Sequence, residues 1–195
     1  MNVTPINFCK KIPVNQIQVI DKVQKRPVEA TVYEYDCEDL DDIYEVGDLD
    51  LSWSFGEMIA SNMHRQFLKN KIMQKDDSLH YYCVKDGFNR MLGLCQTVES
   101  KDSIDVKLIV SHPNQRYKYI GQAMLATLGQ KVVNQDIESL KVRAALSDVY
   151  RFYEDGCGFK RDLSRGTEIF GRDYKMENKD IPGFIQRTKE KIELY

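Results

Sequence analysis

The sequence predicts an α+β fold, a single domain with a central mixed sheet and about four flanking helices. Three observations carry this prediction: successive strand-like segments between residues 80 and 111, alternating helix-like and strand-like segments after residue 112, and 42% hydrophobic residues in a chain of 195. Consecutive strands favour antiparallel pairing, whereas helical crossovers favour a parallel neighbour. A chain of this size and composition can bury one substantial core.

The first elements follow from alternation and helical spacing. Residues 30–35 alternate between β-prone residues, so they predict a strand. An acidic segment over 39–46, ended by Gly47, predicts a short helix. A longer helix is predicted over 52–73, where apolar side chains recur at every fourth position.

The middle of the chain predicts a run of three strands. Residues 80–85 and 91–98 form a hairpin around the turn Asp86-Gly87. Residues 103–111 alternate again and predict the third strand.

Helices and strands then alternate to the end of the chain. The predicted elements are a helix over 119–134, a strand over 140–146, a short helix over 148–155, a strand pair over 159–162 and 168–176, and a helix-compatible tail from residue 182.

Charge is balanced overall and uneven locally. The chain has 28 Lys+Arg and 30 Asp+Glu, a net charge of −2, which lacks the basic surplus of a nucleic-acid-binding surface. Residues 1–26 are basic, whereas residues 27–64 contain no Lys or Arg. We therefore divide the chain into a basic N-terminal arm, 1–26, and a domain, 27–195. The arm packs on the sheet, mediates homodimer contacts or is disordered, and the sequence leaves these alternatives open.

Composition also limits compartment and metal chemistry. No segment approaches the roughly 18–20 apolar residues of a membrane span, and the first residues do not resemble a secretory signal. The chain has five cysteines, an odd number without C-x-x-C spacing, and three histidines that lie far apart. We therefore expect a cytoplasmic protein without membrane contact, disulfide framework or metal site.

The clearest chemical signal is the loop that enters the helix at 119–134. Arg116, Lys118 and Gly121 lie where a helix begins, and a helix N-terminus offers unpaired backbone N–H groups and a positive dipole end. Such a site suits a phosphate or pyrophosphate, and a glycine lets the ligand approach the backbone. Taken alone, the loop also fits an ordinary basic surface turn.

Together with a later segment, this loop resembles the GNAT superfamily of acyl-CoA-dependent N-acyltransferases. The family pattern P-x-x-(R/Q)-x-x-G-x-(G/A) is matched by Pro113, Arg116 and Gly121. The chain departs from it at Tyr119, where the family usually has glycine.

The second segment is similar to the Y-x-x-x-G-F pattern of the same family. Tyr153, Gly158 and Phe159 match it with one residue more than the commonest spacing. Two further departures are Leu146, where the family often has asparagine, and Ser111, where it often has valine.

The resemblance implies a GNAT-like splayed sheet and a transferase that uses acetyl-CoA as co-substrate. An amine attacks the thioester directly, and Tyr153 acts as the general acid toward the leaving thiolate. A tyrosine hydroxyl with a pKa of about 10 can hydrogen-bond or protonate a thiolate whose pKa is about 8.5. The implied cofactor-binding residues lie on the strand end and the loop: Ile109, Val110, Ser111, Arg116, Tyr117, Lys118, Tyr119, Ile120, Gly121 and Gln122.

The acceptor is expected to be a small-molecule amine or a protein amine, which must lose a proton before it attacks. Glu99 and Asp105 are candidate bases, and the alternative is that each is a solvated carboxylate on a strand face. The acidic segment 34–50 either attracts a cationic acceptor or is a solvated face. The alternative function is a degenerate GNAT-fold module that binds acyl-CoA or a protein without catalysis, and Tyr119 argues for it.

Overall fold

The computed structural model describes residues 11–35, 77–111, 116–144, 147–164 and 171–194. The helices predicted over 39–46 and 52–73 lie outside these residues. Within the described ranges, no helix combines the length and the hydrophobicity that crossing a bilayer requires.

A nine-stranded mixed sheet forms the centre of the fold. The strands run in the order β6-β1-β2-β3-β4-β5-β7-β9-β8, and every neighbouring pair is antiparallel except β5 and β7. They are β1 Lys11–Asp21, β2 Arg26–Tyr35, β3 Leu79–Asp86, β4 Met91–Glu99, β5 Ser103–Ser111, β6 Tyr117–Lys118, β7 Ser139–Ala144, β8 Lys160–Arg161 and β9 Arg172–Glu177. The mixed sheet predicted from the sequence is confirmed, and β5 has the predicted bounds.

Strand β1 is an element that the sequence pattern did not predict. It pairs with β2 from Lys11 opposite Tyr35 to Asp21 opposite Arg26. Of the alternatives left open for residues 1–26, packing on the sheet therefore holds for residues 11–26. A boundary at residue 26 separates two strands of one hairpin.

The sheet splays between its two parallel strands. Pairing of β5 with β7 ends at Val106 opposite Val142, although β5 continues to Ser111. A bulge lies at the same point, because Thr97 pairs with Val106 and Gln96 already pairs with Leu108. A bulge bends a strand and strengthens its twist, so β5 turns away from β7 here.

In the part of the chain that the structure describes, two α-helices pack on one face of the sheet and on each other. They are α1, Ile120–Asn134, and α2, Ile181–Glu193. Met124, Leu125 and Leu128 of α1 are almost fully buried in the main core. A smaller cluster around Tyr81 and Leu94 belongs to the other face.

The short helix predicted over 148–155 differs in kind from the prediction. A 3-10 turn over Ser147–Val149 precedes a π-helix over Phe152–Cys157. Leu146, the position where the family often has asparagine, lies outside the described residues.

Candidate functional site

The N-terminus of α1 leaves its first backbone N–H groups without helical partners. The first helical bond runs from the N–H of Ala123 to the carbonyl of Tyr119, 2.8 Å. The N–H groups of Ile120, Gly121 and Gln122 therefore precede the helical ladder. The side chain of Tyr119 does not cap them.

Tyr119 adopts the backbone conformation that glycine favours. Its φ is 69° and its ψ is 9°, in the left-handed region. That conformation costs an L-residue roughly 1–2 kcal/mol. The loop thus keeps the shape of a glycine position although a tyrosine occupies it.

A glycine on β4 brings this helix start close to the sheet. A Cβ atom on Gly93 would lie 2.9 Å from Cγ2 of Ile120 and 2.9 Å from the carbonyl oxygen of Val110. Both distances are too short for real Cβ contacts. The missing side chain therefore lets the first turn of α1 sit directly on β4 and β5.

The side chain of Arg116 forms an ion pair with Asp21 of β1. Its Nε and a terminal nitrogen donate to Oδ2 of Asp21 at 2.9 and 2.6 Å. The hydrogen bond from Arg116 holds the pKa of the nearly buried Asp21 below its ordinary value, against the opposing effect of burial. The backbone adds a bond from Lys22 to the carbonyl of Arg116, 2.8 Å.

The N-terminal hairpin thereby positions the candidate phosphate loop, residues 116–122. Strand β6 pairs Tyr117 with Asp21 and Lys118 with Ile20. Lys118 is exposed, and Arg116 is occupied by Asp21, so an anion at the helix start meets main-chain N–H groups rather than the Arg116 guanidinium.

Gly121 links the helix start to the second motif. A Cβ atom at this position would lie 3.2 Å from Cζ of Phe152. The absence of a side chain at Gly121 therefore makes room for the Phe152 ring. Phe152 is the first residue of the π-helix and the neighbour of Tyr153.

Tyr153 lies inside an aromatic cluster. Its ring stacks on Tyr174 with centroids 5.7 Å apart and meets Phe159 and Phe152 edge-on. Only 6% of the residue is exposed. Burial raises the pKa of Tyr153, and the nearby Cys95 and Cys157 raise it further. The hydroxyl is therefore protonated at neutral pH and able to donate.

The π-helix accounts for the extra residue in the second motif. A π-turn takes up one more residue than an α-turn, so Tyr153 and Phe159 can keep their places around a longer segment. Gly158 closes the turn with φ 82°. The N–H of Phe159 then bonds the carbonyl of Tyr153 at 2.9 Å.

Polar contacts fix the π-helix from two sides. The hydroxyl of Tyr174 donates to Oε1 of Glu154 at 2.7 Å, which ties the helix to β9. Lys191 of α2 donates to the carbonyl of Gly156 at 3.1 Å. These contacts hold the segment that carries Tyr153.

A cleft of about 250 Å³ opens where β5 and β7 part. Its lining combines apolar and charged side chains from β5, β7, β9 and the residue after β8: Asp105, Val106, Lys107, Lys141, Val142, Arg143, Asp162, Asp173 and Tyr174. Tyr174 thus belongs to the lining of the cleft, and its ring stacks on Tyr153.

The two candidate bases lie in different places. Asp105 lines the cleft and accepts from Ser103 at 3.2 Å and Lys107 at 3.2 Å. Glu99 accepts from Tyr82 at 2.7 Å and pairs with Lys131 at 2.8 Å. Glu99 is therefore neither a solvated carboxylate nor a residue of the cleft.

The cysteines that the structure describes are buried. Cys83, Cys95 and Cys157 are buried free thiols. Burial raises the pKa of Cys157 to about 12, so it stays a thiol. Within the ranges that the structure describes, no three His, Cys, Asp or Glu side chains are grouped as metal ligands.

Solved structures with a similar fold include N-acetyltransferases. The PaiA N-acetyltransferase of Thermoplasma acidophilum, solved in complex with coenzyme A, matches with a TM-score of 0.54 and 14% identity over 76% of this chain and 98% of its own. A GNAT-family acetyltransferase of Staphylococcus aureus matches with a TM-score of 0.55 and 12% identity over 76% and 99%. The chain has the GNAT fold.

A third similar structure is the dodecameric spermidine N-acetyltransferase of Vibrio cholerae. It matches with a TM-score of 0.53 and 13% identity over 77% of this chain and 95% of its own. No family model and no curated protein matches the sequence. The GNAT resemblance stated from the two motifs is thus confirmed at the level of the fold.

The sequence did not predict the Asp21–Arg116 pair or the position of Tyr174 at the site. Asp21 lies 95 positions from Arg116, so no local sequence pattern predicts that they interact. Tyr174 was part of a predicted strand without a site role. The motif spacing was a usable signal for the π-helix, because the one extra residue marked the place of the irregular turn.

Pro113 and the acidic residues 36–50 lie outside the described ranges.

Proposed function

We propose that the chain is an N-acyltransferase that moves the acetyl group of acetyl-CoA to a primary amine. The observation that carries the proposal is the contact of two motifs, since the uncapped helix start at Gly121 packs on Phe152, next to Tyr153. The end of β5–β7 pairing at Val106 supports the proposal too, because β5 continues beyond it without a β7 neighbour.

Main-chain groups are proposed to bind the co-substrate. The N–H groups of Ile120, Gly121 and Gln122 suit the pyrophosphate, because a helix N-terminus stabilises an anion. Beyond Val106, strand β5 has no β7 partner, so the main chain of Ile109–Ser111 is free of that neighbour and suits the pantetheine amides. Tyr117 and Lys118 are proposed to shape the loop through β6.

The chemical step needs no oxidant or metal. The amine nitrogen attacks the thioester carbon, a C–N bond forms and the C–S bond breaks. The hydroxyl of Tyr153 donates its proton to the departing thiolate, and the attacking nitrogen loses one proton to a base. Proton exchange with solvent then restores both Tyr153 and the base. Asp105 is the proposed proton acceptor because its carboxylate lines the cleft. The products are an amide and the CoA thiol.

Calorimetric titration with acetyl-CoA tests the binding part of this proposal. We expect acetyl-CoA to bind with a micromolar Kd. A weaker affinity for desulfo-CoA or free CoA would show that the protein also contacts the acetyl thioester. Absence of binding at high micromolar acetyl-CoA would overturn the proposed function.

Release of the CoA thiol in the presence of amines tests catalysis. Tyr153→Phe should lower kcat by about 100-fold or more, the usual contribution of a general acid. Tyr150→Phe is the matched control, since this half-buried tyrosine lies three positions earlier and contacts Arg172. An equal loss of kcat in both variants would show that Tyr153 is not the general acid.

The second candidate is an acyl-CoA-binding or protein-interaction module without catalysis. The left-handed backbone of Tyr119 favours it, because the position has a glycine-like φ and a side chain there leaves less room for a phosphate than glycine would. Tight binding of acetyl-CoA with no thiol release for any amine would support this module.

A further inference from the structure

Among the described residues that line the cleft between β5 and β7, one cationic side chain has no hydrogen-bond or ion-pair partner. It is lined by three carboxylates and three cationic side chains: Asp105, Asp162, Asp173, Lys107, Lys141 and Arg143. Lys107 pairs with Asp105 at 3.2 Å, and Arg143, Asp162 and Asp173 each have an interaction of their own. Among the described residues, only Lys141 of this lining has no hydrogen-bond or ion-pair partner.

The neighbours of Lys141 in the sheet are engaged elsewhere. Asp105 is its register partner on β5 but accepts from Ser103 and Lys107. Lys175 is its register partner on β9 and pairs with Glu177 at 2.9 Å. The sheet therefore aligns the Lys141 side chain with groups that do not neutralise it.

Lys141 is half-buried and has no anionic partner in the described part of the chain, so a bound ligand can supply one. Lys141 is partly withdrawn from solvent, and the buried Val106, Val142 and Tyr174 form apolar parts of the same lining. Low polarity around a charge increases both the cost of leaving it unpaired and the gain from pairing it. The cleft thus has the features of a subsite for one negative group.

We propose that the acceptor is a small amine that also carries a carboxylate, and that Lys141 binds this carboxylate. The inference rests on the proposed function, since it identifies the class of acceptor for the same transfer. Lys141 provides the positive group and Asp105 the negative one, side by side on neighbouring strands, which matches a zwitterionic amino acid. The product is then an N-acyl amino acid, formed with one CoA thiol.

The size of the cleft supports a small acceptor. Its volume of about 250 Å³ lies below the roughly 300–1,000 Å³ that is usual for drug-sized ligands. One cationic side chain suits one carboxylate, whereas a polyanion would require a cluster of cations.

Matched amines with and without a carboxylate test the inference. Lysine against cadaverine and arginine against agmatine differ only in that group. Release of the CoA thiol should show a kcat/KM about tenfold or more higher for each amino acid, as expected for a charge-assisted hydrogen bond. Lys141→Met should bring this ratio close to one. Lys175→Met is the control and should leave the ratio unchanged, because Lys175 lies outside the cleft lining.

Equal rates for both members of each pair would overturn the carboxylate inference and leave the proposed function standing. Loss of acetyl-CoA binding in the calorimetric titration would instead overturn the proposed function. The two failures are therefore distinguishable.

Nuclear magnetic resonance of the lysine side chains gives a readout that needs no turnover. In protein labelled with ¹³C at the lysine Cε, the Lys141 signal is the one that Lys141→Met removes. Titration with lysine should shift this signal saturably, and cadaverine should not. An unmoved Lys141 signal, or equal shifts with both compounds, would overturn the inference even for an inactive enzyme.

Discussion

Tyr119 preserves a glycine-like backbone at the start of α1. Its φ of 69° is strained for an L-residue. Glycine would relieve roughly 1–2 kcal/mol of strain and lose roughly 0.5–1 kcal/mol through the greater freedom of the unfolded chain. We therefore expect Tyr119→Gly to raise the free energy of unfolding by up to about 1 kcal/mol, measured by urea denaturation.

The same substitution tests whether the native loop is impaired. Calorimetric titration of Tyr119→Gly with acetyl-CoA should show tighter binding if the tyrosine narrows the phosphate loop. Tyr117→Gly is the control, because Tyr117 pairs with β1 in an ordinary strand conformation and its replacement should lower stability. A lower stability of Tyr119→Gly would contradict the strain argument.

The pair of Asp21 and Arg116 predicts a specific pH dependence. The folded protein holds the pKa of Asp21 below the ordinary value of 3.8. Between the folded and the unfolded pKa, the unfolded state binds more protons, so stability rises with pH. The contribution of Asp21 is thus complete above about pH 4 and is lost as the pH falls through the folded pKa.

Asp21→Asn is the variant that reports on this pair. We expect it to lower the urea midpoint at pH 7 and to flatten the decline of the midpoint below about pH 4. Asp136→Asn is the control, since Asp136 is an exposed aspartate. An unchanged acid limb in Asp21→Asn would show that other carboxylates cause the decline.

Some of the site residues could be predicted from the sequence, and others could not. The glycine position at Tyr119 was visible because the loop pattern has a fixed spacing. The role of Arg116 was not, because its partner Asp21 lies on another strand and only the folded sheet brings the two together. Lys141 has no motif at all, and its significance comes from what its neighbours on β5 and β9 contact.

At the scale of elements, the strands between residues 79 and 111 were predictable because apolar and polar residues alternate and a turn separates them. Strand β1 was not, because two polar residues, Asn15 and Gln16, and two apolar ones, Val19 and Ile20, stand next to each other and break the alternation. The π-helix has no periodic signature in the sequence. The only sequence feature that indicated it was the extra residue between Tyr153 and Gly158.

The close approach of α1 to the sheet depends on Gly93. An added methyl group would meet the carbonyl oxygen of Val110 at 2.9 Å, and backbone cannot move away as a flexible side chain can. We expect Gly93→Ala to lower the free energy of unfolding by about 1–3 kcal/mol, the usual cost of overpacking. Acetyl-CoA affinity should fall as well, because the helix start shifts.

Gly87→Ala provides the comparison for that prediction. A Cβ atom on Gly87 has nothing within 4 Å, so this change should leave urea stability and acetyl-CoA affinity nearly unchanged. Equal stability of Gly93→Ala and Gly87→Ala would show that α1 does not need the close approach.

At the scale of the whole molecule, the N-terminal hairpin joins the sheet to the candidate loop. Its inner residues Val19 and Ile20 are fully buried, and Ile20 and Asp21 pair with β6. Burying two such side chains contributes about 3–6 kcal/mol, a large share of a total stability that is typically about 5–15 kcal/mol. Residues 11–26 are therefore expected to be part of the cooperative unit rather than an independent arm.

A chain that begins at residue 27 tests this expectation most directly. We expect it to lose cooperative unfolding and acetyl-CoA binding together, because the shortened chain lacks both the buried β1 residues and the partner of Arg116. In the full chain, Ile20→Ala should cost about 2–5 kcal/mol, since it leaves a cavity in the core. Ile12→Ala, on the same strand but 61% exposed, should change stability by no more than about 0.5 kcal/mol. If the shortened chain unfolds at the same urea concentration as the full chain, the hairpin is dispensable and the original boundary at residue 26 holds.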